Sequence, residues 1–290
     1  RRSMMLVQND GDKPKFDMIE VVRSLGIELI PSQQKCIVNT MGKARSLIVA
    51  HPGWGSTSMS ALIALLTAWM KPGRRVGCFS PSWRQSKLIY DQVRDIIQRS
   101  YLLQTSIKDH AIFDSKWSVV FNEAEGLNAS RIDSFTLSDA CHLKGYRCHT
   151  VILDESCHIP EKVFNMVIRP MMATCADPVS TVRYQQEMET ISKLQMLSTK
   201  QKVAALEDLE YNYRGVQPRS QIIMFTKAHC KANYLYKLYQ NWTGDPDAFT
   251  VTYPYYDSPL DFLDSRIVGR AKIEMTPGMF KAIYEGEWAD

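Results

Sequence analysis

Residues 46–57 read SLIVAHPGWGST. Leu47, Ile48 and Val49 are strand-type residues, and two glycines, Gly53 and Gly55, follow closely. A hydroxyl pair, Ser56 and Thr57, leads into the apolar run MSALIALLTAWM, which has the length of a helix. Strand, glycine loop, hydroxyl and helix is the order of a phosphate-binding loop. Glycines let the backbone approach an anion, amides at a helix start face it, and a Ser or Thr hydroxyl can ligate magnesium. One part differs: where such loops carry Lys before the hydroxyl, this sequence has Ser56. A glycine-bearing strand-to-helix turn is also a common structural device, so the loop by itself leaves function open.

Outward from the loop, apolar runs alternate with helical periodicity. Helical spacing covers 16–25, and Pro31 and Ser32 start a second helix with Gln33 in its first turn. VGCFS (76–80) is a second buried strand, and Pro81-Ser82 introduces a long amphipathic helix with apolar residues at 88, 89, 93, 96 and 97. Trp117 to Phe121 reads as a strand, although most of Thr105 to Arg131 resists assignment. TVIL (150–153) is a further apolar strand, and a helix follows over 161–172. QIIMF (221–225) and the alternating 249–253 complete the strands, with an aromatic and Lys-rich helix over 232–242 between them. The tail reads as two short helices separated by Thr276-Pro277-Gly278. Continuous apolar strands alternating with helices imply an α/β fold, a mostly parallel sheet covered by helices on both faces.

Composition narrows the class. The chain has 290 residues, 45% apolar and 23% charged, enough for one large domain with a small companion. A net charge of +4 permits a nucleic-acid partner without arguing for one. Seven scattered cysteines suit a reducing compartment better than a disulfide framework. No apolar run reaches the length of a membrane span, and the N-terminus lacks the apolar stretch of a signal peptide.

In parallel sheets, ligands sit at the carboxyl ends of the strands. TVILDE places two carboxylates there: Asp154 is positioned to hold magnesium, and Glu155 to polarise a water for attack on a phosphoryl group. Helix capping is the plainer role for such a pair, but the upstream glycine loop favours nucleotide hydrolysis. Thr226 ends the QIIMFT strand at the same edge. The Cys–His pairs at 141/142, 148/149 and 157/158 lack short zinc-type spacing. Asp257, Asp261 and Asp264 read as a solvated face rather than a two-metal site. KAHCKANYLYKLYQNW (227–242) suits a DNA backbone and a packing stripe equally well.

The order of Gln33 after a Pro, the glycine loop, SPSWRQSKLIYDQV, LKGYRCHTVILDE, IIMFTKAHCKANYLYKLYQNW and MTPGMFKAIYEGEW resembles the ATPase domain of the large terminase subunit. That family is the DNA-packaging motor of tailed bacteriophages and herpes-like viruses, and the resemblance covers about residues 25 to 290. It implies a P-loop NTPase sheet of the ASCE, RecA-like type with a small lid subdomain. The expected layout is a lead-in over 1–25, a core over 26–255 with a helical insertion near 176–218, and a lid or linker over 256–290. A nuclease domain, which follows the ATPase domain in that family, is expected to be absent from this chain.

Carried over by position, Gln33 resembles the adenine-reading glutamine, and Gly53, Gly55, Ser56 and Thr57 the phosphate loop. The resemblance makes Asp154, with Thr57, the magnesium ligands, Glu155 the catalytic carboxylate and Thr226 the coupling residue. Lys144 stands where the family usually has an Arg acting on a neighbouring subunit's nucleotide, with Arg147 and Arg131 as nearby substitutes. The loop Lys has no match, so His51 or a basic residue from elsewhere is expected to compensate, or nucleotide binding to be poor. ATP and Mg2+ are the implied cofactors. Double-stranded viral DNA, a portal protein, a small terminase subunit and a homo-oligomeric ring of five are the implied partners, in the host cytoplasm and with no membrane. The competing reading is a nucleotide-binding or DNA-scaffold domain with a degenerate phosphate loop and little hydrolysis.

Overall fold

The computed structural model describes residues 17–113, 116–123, 127–137, 143, 145–173, 178–194, 196, 198–216, 220–259 and 261–289. Its strands are β1 (Arg45–Ala50), β2 (Arg75–Ser80), β3 (Ile107–Phe113), β4 (Lys116–Phe121), β5 (Arg131–Thr136), β6 (Thr150–Leu153), β7 (Gln221–Thr226) and β8 (Ala248–Tyr253). They form one sheet in the order β3-β4-β5-β2-β6-β7-β1-β8. The six strands from β5 to β8 are parallel, and β3 and β4 add an antiparallel edge. The fold is therefore the mostly parallel α/β sheet expected from the apolar runs.

Both faces of the sheet are covered, which is why the central strands carry apolar residues on both sides. Along β1, Ile48 and Ala50 enter one core while Leu47 and Val49 enter the other. The first core is closed by α1 (Met18–Ser24), α2 (Pro31–Met41), α3 (Ser56–Met70), α4 (Trp83–Arg99) and the short α5 (Tyr101–Gln104). Val22 and Leu25 belong to it, so the segment just before residue 26 packs as part of the core. On the second face lie α6 (Glu161–Val163), a π-helical stretch Phe164–Ile168 and α7 (Arg169–Met172), which together fill the span read as one helix. Next come α8 (Pro178–Lys193) and α9 (Thr199–Val216), two helices over the span expected to hold a helical insertion. None of their described side chains is buried.

The helix α10 (Tyr234–Trp242) resolves the question over its aromatic stripe. Tyr234, Leu235 and Trp242 are buried in the second core, and Tyr236 and Tyr239 lie against Trp288. These rings pack. After β8, α11 (Ser265–Glu274) and α12 (Pro277–Phe280) gather a small core of their own, with Val268, Ala271 and Phe280 at its centre. Asp264 caps α11 by accepting from the Arg266 amide at 2.9 Å.

The part of the chain that resists sequence reading holds β3 and, just beyond it, β5. In β5 a fully buried carboxylate, Asp133, sits inside the sheet. It is compensated by the Ser118 hydroxyl at 2.6 Å, the Arg131 guanidinium at 2.8 Å and the Tyr146 hydroxyl. Arg131, a substitute for the residue reaching a neighbour's nucleotide, is thus committed to Asp133 within its own chain.

Candidate functional site

Residues 51–55 run from the end of β1 to the start of α3, and the backbone turns twice through the left-handed region, at Gly53 (φ 84°) and Gly55 (φ 94°). These turns leave the α3 start open towards the carboxyl edge of the sheet. Space is short as well as strained: a Cβ on Gly53 would lie 3.0 Å from Leu263 Cδ2, and one on Gly55 3.1 Å from Gln33 Nε2.

Trp54, between the two glycines, points inward and is fully buried. It stacks on Tyr253 with ring centroids 5.0 Å apart and lies 6.3 Å from Phe225, and its indole N–H donates to Ser32 Oγ at 3.0 Å. Gln33 holds the same residue from behind. Its Nε2 donates to the Trp54 carbonyl at 2.7 Å, and its Oε1 accepts from the Ile30 amide at 3.2 Å. The loop is therefore pinned to α2 and β8 through one indole and one amide.

Opposite the loop, β6 ends at Asp154 and Glu155. Asp154 is 2% exposed, and the Thr57 hydroxyl donates to its Oδ2 at 2.8 Å. Burial pushes the Asp154 carboxyl above the usual range, against the Thr57 hydrogen bond, while the neighbouring Glu155 charge adds to the rise. Glu155 stands at φ 48°, ψ 48°, a left-handed backbone for a residue with a side chain. Its carboxylate accepts from Gln85 Nε2, in the first turn of α4, and Lys227 Nζ lies 3.9 Å from its other oxygen.

Strand order explains the assembly. β7 lies between β1 and β6, with Val49 level with Thr226 and Leu153 level with Met224. The residues that follow β7 therefore emerge between the glycine loop and the acidic pair. Thr226 is 4% exposed, and its hydroxyl donates to the Lys227 carbonyl at 2.9 Å. A cleft of about 300 Å³ results, lined by the loop, Asp154, Glu155, Cys157, Phe225, Thr226 and Lys227.

His51, Gly53, Gly55, Ser56, Thr57, Asp154, Glu155 and Thr226 thus meet in one cleft, with Gln33 directly behind its loop. His51 has a different setting from that of a phosphate-facing cation. It is 2% exposed, Nδ1 pairs with the Pro52 carbonyl at 2.8 Å, and Nε2 pairs with Ser258 Oγ at 2.9 Å. Burial lowers its pKa below the ordinary imidazole value, so the ring is neutral at pH 7. Arg147 is half-buried and does not line the cleft; its guanidinium donates to the Tyr146 carbonyl at 3.2 Å. Lys144 lies outside the described residues.

Three contributors are invisible to motif reading: Trp54, Gln85 and Lys227. The available signals are a large aromatic inside a glycine loop, a polar residue three positions into a capped helix, and a Lys next to a strand-ending Thr. None of them says what it faces. Among the described residues no three His, Cys, Asp or Glu side chains gather to hold a metal. A hydroxyl and one carboxylate in contact fit magnesium, which keeps several waters and takes one or two carboxylates plus phosphate oxygens.

Comparison with solved structures places the fold. The chain is similar to the large terminase ATPase domain of Thermus phage P74-26, with 14% identity, 94% of this chain and 99% of that one covered, and a TM-score of 0.64. It is also similar to the large terminase of a thermophilic bacteriophage, at 10% identity and a TM-score of 0.59, and to that of bacteriophage HK97, at 14% and 0.51. It covers 54% and 42% of those two longer chains, about half of each. No protein-family model matches the sequence, and no curated protein matches it either. The fold is that of phage large terminase ATPase domains.

Proposed function

We propose that this chain is the ATP-hydrolysing motor domain of a viral DNA-packaging terminase. The observation that carries the reading is the 2.8 Å contact between Thr57 and Asp154, which brings the loop hydroxyl and the strand-end carboxylate to one point. In a nucleotide hydrolase such a hydroxyl and carboxylate would hold a divalent cation, which would neutralise phosphate charge. The fold supports the same reading, and a similar large terminase has been crystallised with ADP and with ATP-gamma-S.

Under this reading each residue has a task. The loop amides and the α3 start receive the phosphates, since an open helix start is an anion site. Thr57 and Asp154 hold Mg2+, which when bound supplies charge neutralisation at the phosphates. Glu155 orients the attacking water and accepts its proton at a carboxylate oxygen once it leaves Gln85. Gln33 is left with one amide hydrogen and one carbonyl lone pair for a base edge. Thr226 couples the cleft to β7. Lys144 and Arg147 serve a neighbouring subunit's nucleotide in a five-membered ring on a portal, with double-stranded DNA and a small terminase subunit as partners in the host cytoplasm. Among the described residues no helix is long and apolar enough to cross a membrane.

The test is phosphate release from MgATP, with and without double-stranded DNA, beside a nucleotide-binding titration. Glu155→Gln is expected to bind ATP like the parent and to turn over at least about 10²-fold more slowly, the usual weight of a general base. Equal turnover in the two proteins overturns the role of Glu155. A parent that binds MgATP without hydrolysing it favours the nucleotide-binding scaffold, and one that binds no nucleotide removes both readings.

A further inference from the structure

The cleft has an electrostatic gap. The first turn of α3 carries Ser56, Thr57 and Ser58 and no basic residue, while the opposite wall carries two carboxylates. A triphosphate entering such a site adds negative charge to negative charge, and phosphoryl transfer depends on stabilising that charge. His51, buried and neutral with both ring nitrogens engaged, does not supply the counter-charge.

Among the described residues lining the cleft, Lys227 is the one Lys or Arg. We infer that Lys227 is the phosphate-binding cation of this site, holding from the end of β7 the charge that the loop would otherwise carry before Thr57. The inference rests on the nucleotide-hydrolysis reading given above and adds a residue to it.

Three observations converge. The first is position. Val49 is level with Thr226 across the β1–β7 pair, so residue 227 emerges beside the start of the glycine loop, and Leu153 level with Met224 puts the acidic pair on its other side. Any long side chain at 227 therefore stands between the two walls. The second is anchoring: Thr226 is buried, and its hydroxyl donates to the Lys227 carbonyl at 2.9 Å, which fixes the backbone from which the side chain departs.

The third is the looseness of the present partner. Nζ lies 3.9 Å from Glu155 Oε1, too far for a hydrogen bond, and the two side chains are 44% and 31% exposed. A pair of this kind contributes little in water, so the ammonium moves to a triphosphate at small cost. Lysine suits the task, being a compact point charge on a flexible stem that follows phosphate oxygens without needing fork geometry. The same movement uncovers Glu155.

The alternative role is purely local, with Lys227 acting as counter-ion to Glu155. Affinity separates the two. In a Glu155→Gln background the carboxylate is gone, and a phosphate-binding Lys still matters. Lys227→Met in that background is expected to weaken ATP binding at least tenfold by fluorescence titration, weaken ADP less, and leave the melting temperature close to that of Glu155→Gln alone. With Glu155 intact, Lys227→Met is expected to lower MgATP turnover on the order of 10²-fold or more. Ser56→Lys added to Lys227→Met is expected to restore a substantial part of it, because it returns the charge from the other wall. Unchanged ATP affinity in the Glu155→Gln background overturns the inference, as does parental turnover in Lys227→Met. A parent that binds no MgATP removes the underlying functional reading, whereas a hydrolysing parent indifferent to Lys227→Met removes the lysine alone.

Discussion

The glycine loop after β1 and the acidic end of β6 face each other across one cleft, yet they are held by different forces. The loop hangs on a buried indole packed against Tyr253 and Phe225, with two neutral hydrogen bonds shared with α2, one donated by Gln33 and one by the indole itself. The acidic end is held by polar contacts. Asp154 has the Thr57 hydroxyl, and Glu155 has Gln85 and a distant Lys227. Apolar packing does not rearrange without opening a void, whereas the part-exposed contacts of Glu155 exchange partners easily. The loop is thus the fixed wall, and Glu155 the adjustable part of the acidic one.

Breaking the fixed wall has the largest expected effect. Trp54→Ala removes the indole and its stacking, and is expected to cost about 3–5 kcal/mol in a denaturant titration, as buried Trp truncations do. A loss under 1 kcal/mol would show that the loop stands without its anchor and would erase the contrast.

Asp154, the buried half of the acidic wall, behaves in the opposite sense. Burial holds Asp154 above its ordinary carboxyl range, so the folded chain binds that proton more tightly than the unfolded chain does. Stability then falls as pH rises through the ordinary carboxylate range up to the folded value, and the cost persists at neutral pH. Asp154→Asn is expected to raise stability at pH 7, while weakening the Mg2+ dependence of nucleotide binding. The gain is expected to vanish at pH values below the ordinary carboxyl pKa. Thermal melts across pH check the sign, and a loss at pH 7 would mean that the Thr57 contact outweighs the burial.

Gln33 lies where the two descriptions meet. Gln33→Ala removes one tie to Trp54, worth roughly 0.5–1 kcal/mol net. It is also expected to narrow the preference for ATP over GTP. A stability loss with unchanged base preference would make Gln33 a brace of the fixed wall and nothing more.

Much of this arrangement is legible in the residues. β1, β2, β6 and β7 announce themselves as apolar runs because both of their faces are buried, and the rule that ligands gather at carboxyl strand ends brings Thr57 and Asp154 together. β5 does not announce itself. Its Asp133 interrupts the apolar pattern, and the partners that make it tolerable come from residues 118, 131 and 146, which only the fold unites. Lys227 is hidden for a related reason. Its significance depends on β7 lying between β1 and β6, and strand order is not written in any local pattern. Trp54 looks like an oddity among glycines until α2 and β8 close around it.

The left-handed backbone at Glu155 bears on how this sequence can drift. Among the described residues it is the one position other than glycine with a positive φ. A side chain there costs roughly 1–2 kcal/mol that glycine would not. Backbone strain alone therefore pulls position 155 towards glycine, and under the proposed function the pressure that keeps Glu there is hydrolysis. In a lineage released from that pressure, this carboxylate would be among the first groups to disappear, while the buried indole three helices away in the chain order would endure.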